Sequence, residues 1–126
     1  MKRVICLLAC ILPIVVFAQQ PGFKSSTSDN YWTNVGNSGF SELAANYISL
    51  AVSPSGQPFV AYMDYAHSNK ATVMKFEGTH WVNFGPTGLT ANAAVWNSLA
   101  FSPSGELYLA YSDYTNAYKA MVMKFT

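Results

Sequence analysis

Cysteine and arginine are almost absent from this chain of 126 residues. The cysteines are Cys6 and Cys10 and the one arginine is Arg3, so all lie close to the N-terminus. The remaining residues therefore offer no disulfide, no thiol nucleophile and no cysteine metal ligand. They also lack the forked guanidinium group that grips phosphates and reads guanine. Packing alone must stabilise the rest of the chain.

Charge is scarce as well, because Asp, Glu, Lys and Arg together make up 10% of the sequence. Without residues 1–18, five lysines stand against six carboxylates, so the net charge is 5 − 6 = −1. Proteins that neutralise nucleic-acid phosphates carry a basic surface instead. We therefore expect no nucleic-acid partner.

The N-terminal segment has the composition of a secretory signal peptide. Lys2 and Arg3 precede the apolar run VICLLACILPIVVFA, and the run ends at Ala18. The run is shorter than the roughly 20 apolar residues of a membrane-spanning helix. It also contains Pro13 and leads into a polar stretch.

These features predict a signal peptide at residues 1–18 and a polar linker at residues 19–30. A lipid anchor on Cys10 is disfavoured, since the apolar run continues beyond that residue. The expected protein is secreted or extracellular, including the periplasm and the cell surface, with no stable membrane insertion after signal cleavage.

A 49-residue repeat runs through the rest of the chain. The tetrapeptide SPSG at 53–56 returns at 102–105, an offset of 102 − 53 = 49 residues, and VMKF at 73–76 returns at 122–125. The same offset, without a gap, superposes further identical residues: Trp32 on Trp81, Gly36 on Gly85, Gly39 on Gly88, Leu50 on Leu99, Tyr62 on Tyr111, Asp64 on Asp113 and Lys70 on Lys119. Periods of roughly 40 to 50 residues are typical of four-stranded propeller blades.

Within one period, short segments rich in β-branched and aromatic residues alternate with turn residues. The predicted strands are ISLAVS, PFVAYMD, ATVMKFE and HWVNFG. SPSG is predicted to be the hairpin turn between the first two, because Pro54 fixes φ and Gly56 accepts positive φ. The sequence thus predicts an all-β domain at residues 31–126, with two four-stranded antiparallel blades at approximately 32–80 and 81–126.

Tyr47 and Trp96 are the first candidates for ligand binding. They end the long connections between the predicted blades at matching positions. Loops on a rigid scaffold are where binding residues tend to lie, so these rings are expected to stack on a sugar or another flat apolar group. The alternative is that both rings pack between the blades as core aromatics.

Asp64 and Asp113 are the second pair of candidates, and each ends a predicted strand. Each could form an ion pair with the lysine that begins the next strand, Lys70 or Lys119, or accept backbone N–H groups in its own turn. We favour a structural role for both carboxylates, because a repeat gives them similar surroundings and catalysis uses dissimilar ones.

Together these motifs resemble the blade repeat of secreted bacterial β-propeller proteins. The shared patterns are W-x-N-x-G, S-L-A-x-S-P-S-G, A-Y-x-D-Y and K-A-x-V-M-K-F, and they cover the chain from Trp32 onward. The resemblance implies an extracellular propeller used for binding or display. It implies neither a particular ligand nor a cofactor.

Two blades are fewer than the roughly 4 to 8 that close a propeller. YWTNVG, at residues 31–36, is predicted to be an additional outermost strand, which gives strands for two blades. Unpaired sheet edges invite self-association. One interpretation is a ring of identical chains, similar in architecture to small two-blade lectins, although their sugar sites commonly use the arginine that this chain lacks. The other interpretation is an N-terminal part of a larger extracellular propeller protein.

An enzymatic function is not predicted. His67 and His80 do not recur at the repeat offset, and no spacing assembles a nucleophile with its base. The Ser-x-Asp-x-Gly-x-Thr-Trp turn of sialidase-type propellers is absent. Ca²⁺ requires about 6 to 8 oxygen ligands, more than DYAHSN or DYTNAY supplies, so neither a metal nor a cofactor is expected. The expected partner is a carbohydrate or a protein.

Overall fold

Two antiparallel sheets make up residues 31–126, the part of the chain that the structure, a computed structural model, describes. The first sheet has the strand order β1-β2-β3-β4 and the second the order β5-β6-β7. The strands are β1 Ala45–Val52, β2 Pro58–Asp64, β3 Lys70–Phe76, β4 Trp81–Asn83, β5 Ala94–Phe101, β6 Leu107–Asp113 and β7 Lys119–Lys124. The predicted all-β class is confirmed. The predicted signal peptide and polar linker lie outside the described residues.

The second sheet has three strands where four were predicted. The predicted opening strand at residues 31–36 is not a strand, and this part of the prediction was wrong. The chain that follows it lies against the first sheet, where the Phe40 ring stacks on Trp81 with 4.6 Å between centroids. The Trp81 indole also donates a hydrogen bond to the Val35 carbonyl at 2.8 Å. These contacts hold the segment beside the sheet without strand pairing.

Strand pairing follows the same scheme in both sheets. Ala45 lies opposite Asp64 in the β1–β2 pair, and Ala94 lies opposite Asp113 in the β5–β6 pair. The offset between these pairings is 94 − 45 = 49, the offset of the sequence repeat. The two sheets do not close on each other within residues 31–126.

The two SPSG segments form hairpin turns, as predicted. The Gly56 amide donates to the Ser53 carbonyl at 2.8 Å, and the Gly105 amide donates to the Ser102 carbonyl at 2.9 Å. Both glycines have positive φ, 87° and 88°, which a side chain would make strained. The Ser53 hydroxyl accepts from the Gln57 amide at 3.0 Å, so this serine is engaged in its own turn.

The hydrophobic core lies between the two sheets, because β5 packs over β1 and β2. The Leu99 amide on β5 donates to the Ser49 hydroxyl on β1 at 2.9 Å, which fixes the two sheets in register. The residues of this core are Phe59, Ala61, Ala71, Val73, Ala94, Leu99, Leu107, Leu109 and Tyr111. A smaller cluster of Val60, Tyr62 and Met74 lies on the other face of the first sheet, beside Trp81.

Candidate binding site

Tyr47 and Trp96 lie in matching bulges of β1 and β5. The β1–β2 pairing shifts register between Asn46 and Ser49, and the β5–β6 pairing shifts at the corresponding place. Within the bulges, Tyr47 has φ 51° and Trp96 has φ 52°. A left-handed backbone costs a bulky residue about 1 to 3 kcal/mol and persists only where the surrounding structure imposes it. Each sheet therefore holds a large aromatic residue in the same strained conformation.

The structure brings these two candidates into contact where the sheets meet. Their ring centroids are 5.8 Å apart with an interplanar angle of 64°, an edge-to-face arrangement. Tyr47 is 40% exposed and Trp96 is 60% exposed. The two rings therefore pack against each other where the sheets meet and also keep part of their surface exposed.

Two tyrosines extend the pair into a continuous surface. Tyr118 lies 5.7 Å from Trp96, and Tyr114 lies 5.2 Å from Tyr118, measured between ring centroids. All four side chains are exposed. We name Tyr47, Trp96, Tyr114 and Tyr118 the aromatic cluster.

Sequence reasoning missed Tyr114 and Tyr118. Tyr118 takes the position that Asn69 has in the first repeat, since 118 − 49 = 69. A residue that differs from its counterpart in an otherwise matching loop is a candidate for function, and this signal could have identified Tyr118. Tyr114 matches Tyr65 in the repeat, and its contact with Tyr118 places it in the aromatic cluster.

Hydrogen-bonding groups border the aromatic cluster. The Asn46 amide, next to Tyr47 in the chain, donates to the Tyr65 hydroxyl at 3.0 Å. Partial burial, with Tyr114 beside it, raises the pKa of Tyr118 above the usual tyrosine value. Tyrosine phenols are protonated at neutral pH, so the hydroxyl groups of this exposed cluster are hydrogen-bond donors.

Asp64 lies outside this surface and is buried at the end of β2. One carboxylate oxygen accepts from the Ala66 amide at 2.9 Å. The other accepts from the Thr72 hydroxyl at 2.7 Å and contacts the His67 ring nitrogen Nδ1 at 2.8 Å. The Thr72 hydroxyl in turn accepts from the Gly88 amide at 2.9 Å. This network fixes the turn after β2 and gives both carboxylate oxygens a partner.

Asp113 has the same position in the second sheet and is also buried. Its Oδ1 accepts from the amides of Thr115 and Asn116 at 3.1 and 3.2 Å, and its Oδ2 accepts from the Asn92 side-chain amide at 3.1 Å. The Asn92 bond, followed by those to Thr115 and Asn116, holds the pKa of Asp113 below its usual value. The carboxylate therefore stays ionised and holds the turn after β6, which carries Tyr114 and Tyr118.

The ion pairs that Asp64 and Asp113 could form with Lys70 and Lys119 are not made. Within residues 31–126, the lysine salt bridges join Glu77 to Lys75 and Glu106 to Lys124. Lys70 and Lys119 lie opposite the two aspartates in the strand pairing, but backbone and hydroxyl donors satisfy the carboxylates instead. The alternative of a carboxylate bonded to its own turn is the one observed.

Two further concavities are present. An apolar groove of about 240 Å³ lies beside Phe84, Leu89 and Phe125. A polar one of about 170 Å³ lies between Phe40 and the Asp64–His67 pair. Among the described residues, no three His, Cys, Asp or Glu side chains come together as a metal site. No helix in residues 31–126 is long and apolar enough to span a membrane.

Fold and site define an all-β protein with two stacked antiparallel sheets and an exposed aromatic cluster at their junction. Comparison of the chain with protein-family models, with curated proteins and with solved structures finds no match.

Proposed function

We propose that this protein is an exported, non-enzymatic binding module of the β-propeller type that binds its ligand at the aromatic cluster. The observation that carries the proposal is the exposed contact between Tyr47 and Trp96. Both residues occupy a strained backbone conformation in matching bulges, and retained strain is a mark of functional positions. The use of such a module is binding or surface display.

A neutral carbohydrate is the ligand class that this surface fits best. Aromatic rings offer flat apolar area for the C–H face of a sugar ring, and neighbouring phenol and amide groups offer hydrogen bonds to its hydroxyls. The Asp113 carboxylate next to Tyr114 is satisfied in its own turn and offers no free negative charge to a ligand. The chain also has no arginine after Arg3.

Titration of the purified protein with a panel of neutral oligosaccharides tests the proposal. We expect saturable binding by isothermal calorimetry and a change in tryptophan fluorescence as the ligand covers Trp96. Trp96→Ala should weaken binding by about tenfold or more, the loss expected when a central aromatic contact is removed. Tyr47→Ala should weaken it as well.

Trp32→Ala is the matched control, because Trp32 is an equally large side chain that is fully exposed at the start of the described chain. This variant should bind as the unaltered protein does. Absence of binding across the panel by folded protein would refute the carbohydrate proposal, and so would equal losses in Trp32→Ala and Trp96→Ala.

Export is supported by the N-terminal sequence, in which Lys2 and Arg3 precede an apolar run that ends at Ala18. We expect the exported protein to begin at Gln19. Mass spectrometry of protein recovered outside the cytoplasm measures this directly. An intact N-terminus, or retention inside the cell, would count against export.

A further inference from the structure

The outer face of the second sheet exposes residues whose counterparts in the first sheet are covered. Val73 is 4% exposed, whereas Val122, at the same position of the repeat, is 68% exposed. Ala61 is fully buried and its counterpart Ala110 is partly exposed. We name the surface of Ser98, Ala100, Tyr108, Ala110 and Val122 the trailing face. In the first sheet, the corresponding surface is the one on which β5 and β6 pack.

On β1 of the first sheet, in turn, residues are exposed whose counterparts on β5 are buried. Leu50 is 62% exposed, and its counterpart Leu99 on β5 is 7% exposed because β5 packs on the first sheet. We name Ile48, Leu50 and Val52 the leading face; all three are exposed apolar side chains.

The chain before β1 covers only part of that side of the first sheet. Phe40 stacks on Trp81 on this side and lines a concavity together with Tyr62 and Met74. The β1 residues of the leading face remain exposed beyond it.

Residues 31–126 therefore contain one complete sheet-to-sheet interface and, in addition, one copy of each of its two halves that nothing within these residues covers. We propose that a second copy of this chain docks head to tail, with its leading face on the trailing face of the first. The internal interface shows that the two faces fit each other, because counterparts of these residues already pack together there. The two faces differ, so the contact is heterologous and can repeat from copy to copy.

One polar contact would set the register of the docked copies. Inside the chain, the Leu99 amide donates to the Ser49 hydroxyl at 2.9 Å. The counterparts of these groups are the Leu50 amide on the leading face and the exposed Ser98 hydroxyl on the trailing face. Lys124 lies opposite Tyr108 and so shares the trailing face, but its ammonium group is paired with the Glu106 carboxylate at 2.8 Å. The named residues of the two faces are uncharged, so docking them would bury no unpaired charge.

Docking would also complete a second aromatic pair. Within the chain, Tyr47 of the first repeat lies beside Trp96 of the second. At a junction between copies, Trp96 of one copy would lie beside Tyr47 of the next. The docking proposal does not depend on the proposed ligand, whereas this second pair as a ligand site rests on the proposed function.

Sedimentation velocity over a range of concentrations tests the docking. We expect the unaltered protein to form species larger than a monomer as its concentration rises. Leu50→Asp, on the leading face, and Val122→Asp, on the trailing face, should each weaken association by about tenfold or more. Both residues are exposed, so both variants should keep the circular dichroism spectrum of the unaltered protein.

A mixture of the two variants gives the sharpest test, because each keeps the face that the other has lost. Head-to-tail docking predicts a one-to-one complex of Leu50→Asp with Val122→Asp that grows no further. Leu43→Asp is the matched control: Leu43 is an exposed leucine that precedes β1 and is not part of the leading face, and its counterpart Asn92 bonds to Asp113. It should associate as the unaltered protein does.

A protein that stays monomeric at every concentration would overturn the docking proposal, as would two variants that fail to combine. Sugar binding by such a monomer would leave the proposed function standing. Association without any sugar binding would support docking and count against the proposed function.

Discussion

The central strands of the two sheets have nearly the same pattern of residues and very different surroundings. In β2, PFVAYMD, every residue after the first is buried, so both faces of the strand are covered. In β6, LYLAYSD, burial alternates residue by residue, so only one face is covered. The outer strands differ further: the middle of β3 is buried, and every residue of β7 is exposed.

The difference shows that burial here depends on the neighbour of a sheet and not on the sheet's own sequence. Val73 and Val122 stand in the same VMKF segment, yet the second sheet packs on the first valine and nothing within residues 31–126 covers the other. The hydrophobic effect stabilises a side chain only as its surface is removed from water. Equal sequences should therefore contribute unequally to stability.

The largest predicted effect compares Val73→Asp with Val122→Asp. The first places an unpaired carboxylate in the core and should lower the free energy of unfolding by about 4 kcal/mol or more. The second alters an exposed residue and should change the unfolding free energy of the monomer by about 0.5 kcal/mol or less. Urea unfolding at low protein concentration, where copies do not associate, measures both.

Equal losses in the two valine variants would contradict the assignment of one covered and one open face. A measurement showing Val73 to be more exposed to solvent than Val122 would contradict it as well.

A smaller effect is expected from Asn97, which replaces the Ile48 of the first repeat. Asn97 is buried between the sheets; its side-chain amide donates to the Ala94 carbonyl at 3.3 Å, but its Oδ1 has no partner within the described residues. An unsatisfied buried acceptor costs about 1 to 3 kcal/mol. Asn97→Ile should therefore raise the free energy of unfolding by about 1 kcal/mol.

The matched reverse substitution is Ile48→Asn, at the exposed counterpart. It should leave stability within about 0.5 kcal/mol of the unaltered protein. Thermal unfolding compares the pair. A loss of stability in Asn97→Ile would mean that the amide makes a favourable contact that outweighs its unsatisfied oxygen.

The smallest predicted effect appears only at alkaline pH. Burial, with the charges of Asp64 and Glu42, raises the pKa of Tyr62 from 10.0 to about 12. Burial, together with Asp113, also raises the pKa of its counterpart Tyr111. The folded state favours the protonated phenol, so this contribution to stability is complete below pH 10 and is lost as the pH rises from 10 towards 12.

Tyrosinate absorbance and urea unfolding against pH measure the ionisation and the loss of stability. Tyr62→Phe should flatten the alkaline decline, because it removes one of the groups that ionise more readily in the unfolded chain. An unchanged decline in this variant would assign the alkaline loss to other groups.

Much of the fold could be predicted from the sequence, because strands and turns are local. Alternating apolar residues indicated the strands around Val60 and Val73, and the Pro54 and Gly56 pair indicated the first hairpin turn. The position of residues 31–36, which were predicted to form a strand, could not be derived from local pattern. It depends on the chain that follows, where Phe40 stacks against Trp81, and pattern alone does not reveal that contact.

The candidate site was predictable only in part. Tyr47 and Trp96 could be selected because they end matching connections, but their strained bulges and their contact arise from strand pairing and sheet packing. Tyr118 joins them only because the turn after β6 places its ring beside Trp96. For Asp64 and Asp113 the sequence left open an ion pair with the next lysine or bonds within their own turn, and the bonds within the turn are the ones formed, since local backbone donors compete well for aspartate.

Hydrogen exchange of the backbone amides in β3 and β7, followed as the protein is diluted, tests whether β3 is covered within the chain and β7 only by a second copy. We expect β3 amides to stay protected at every concentration, because both faces of the middle of β3 are covered within residues 31–126. We expect β7 amides to be protected only at high concentration, where a second copy covers the trailing face. Strong protection of β7 at high dilution, or β3 amides that exchange as fast as those of β7, would contradict these expectations.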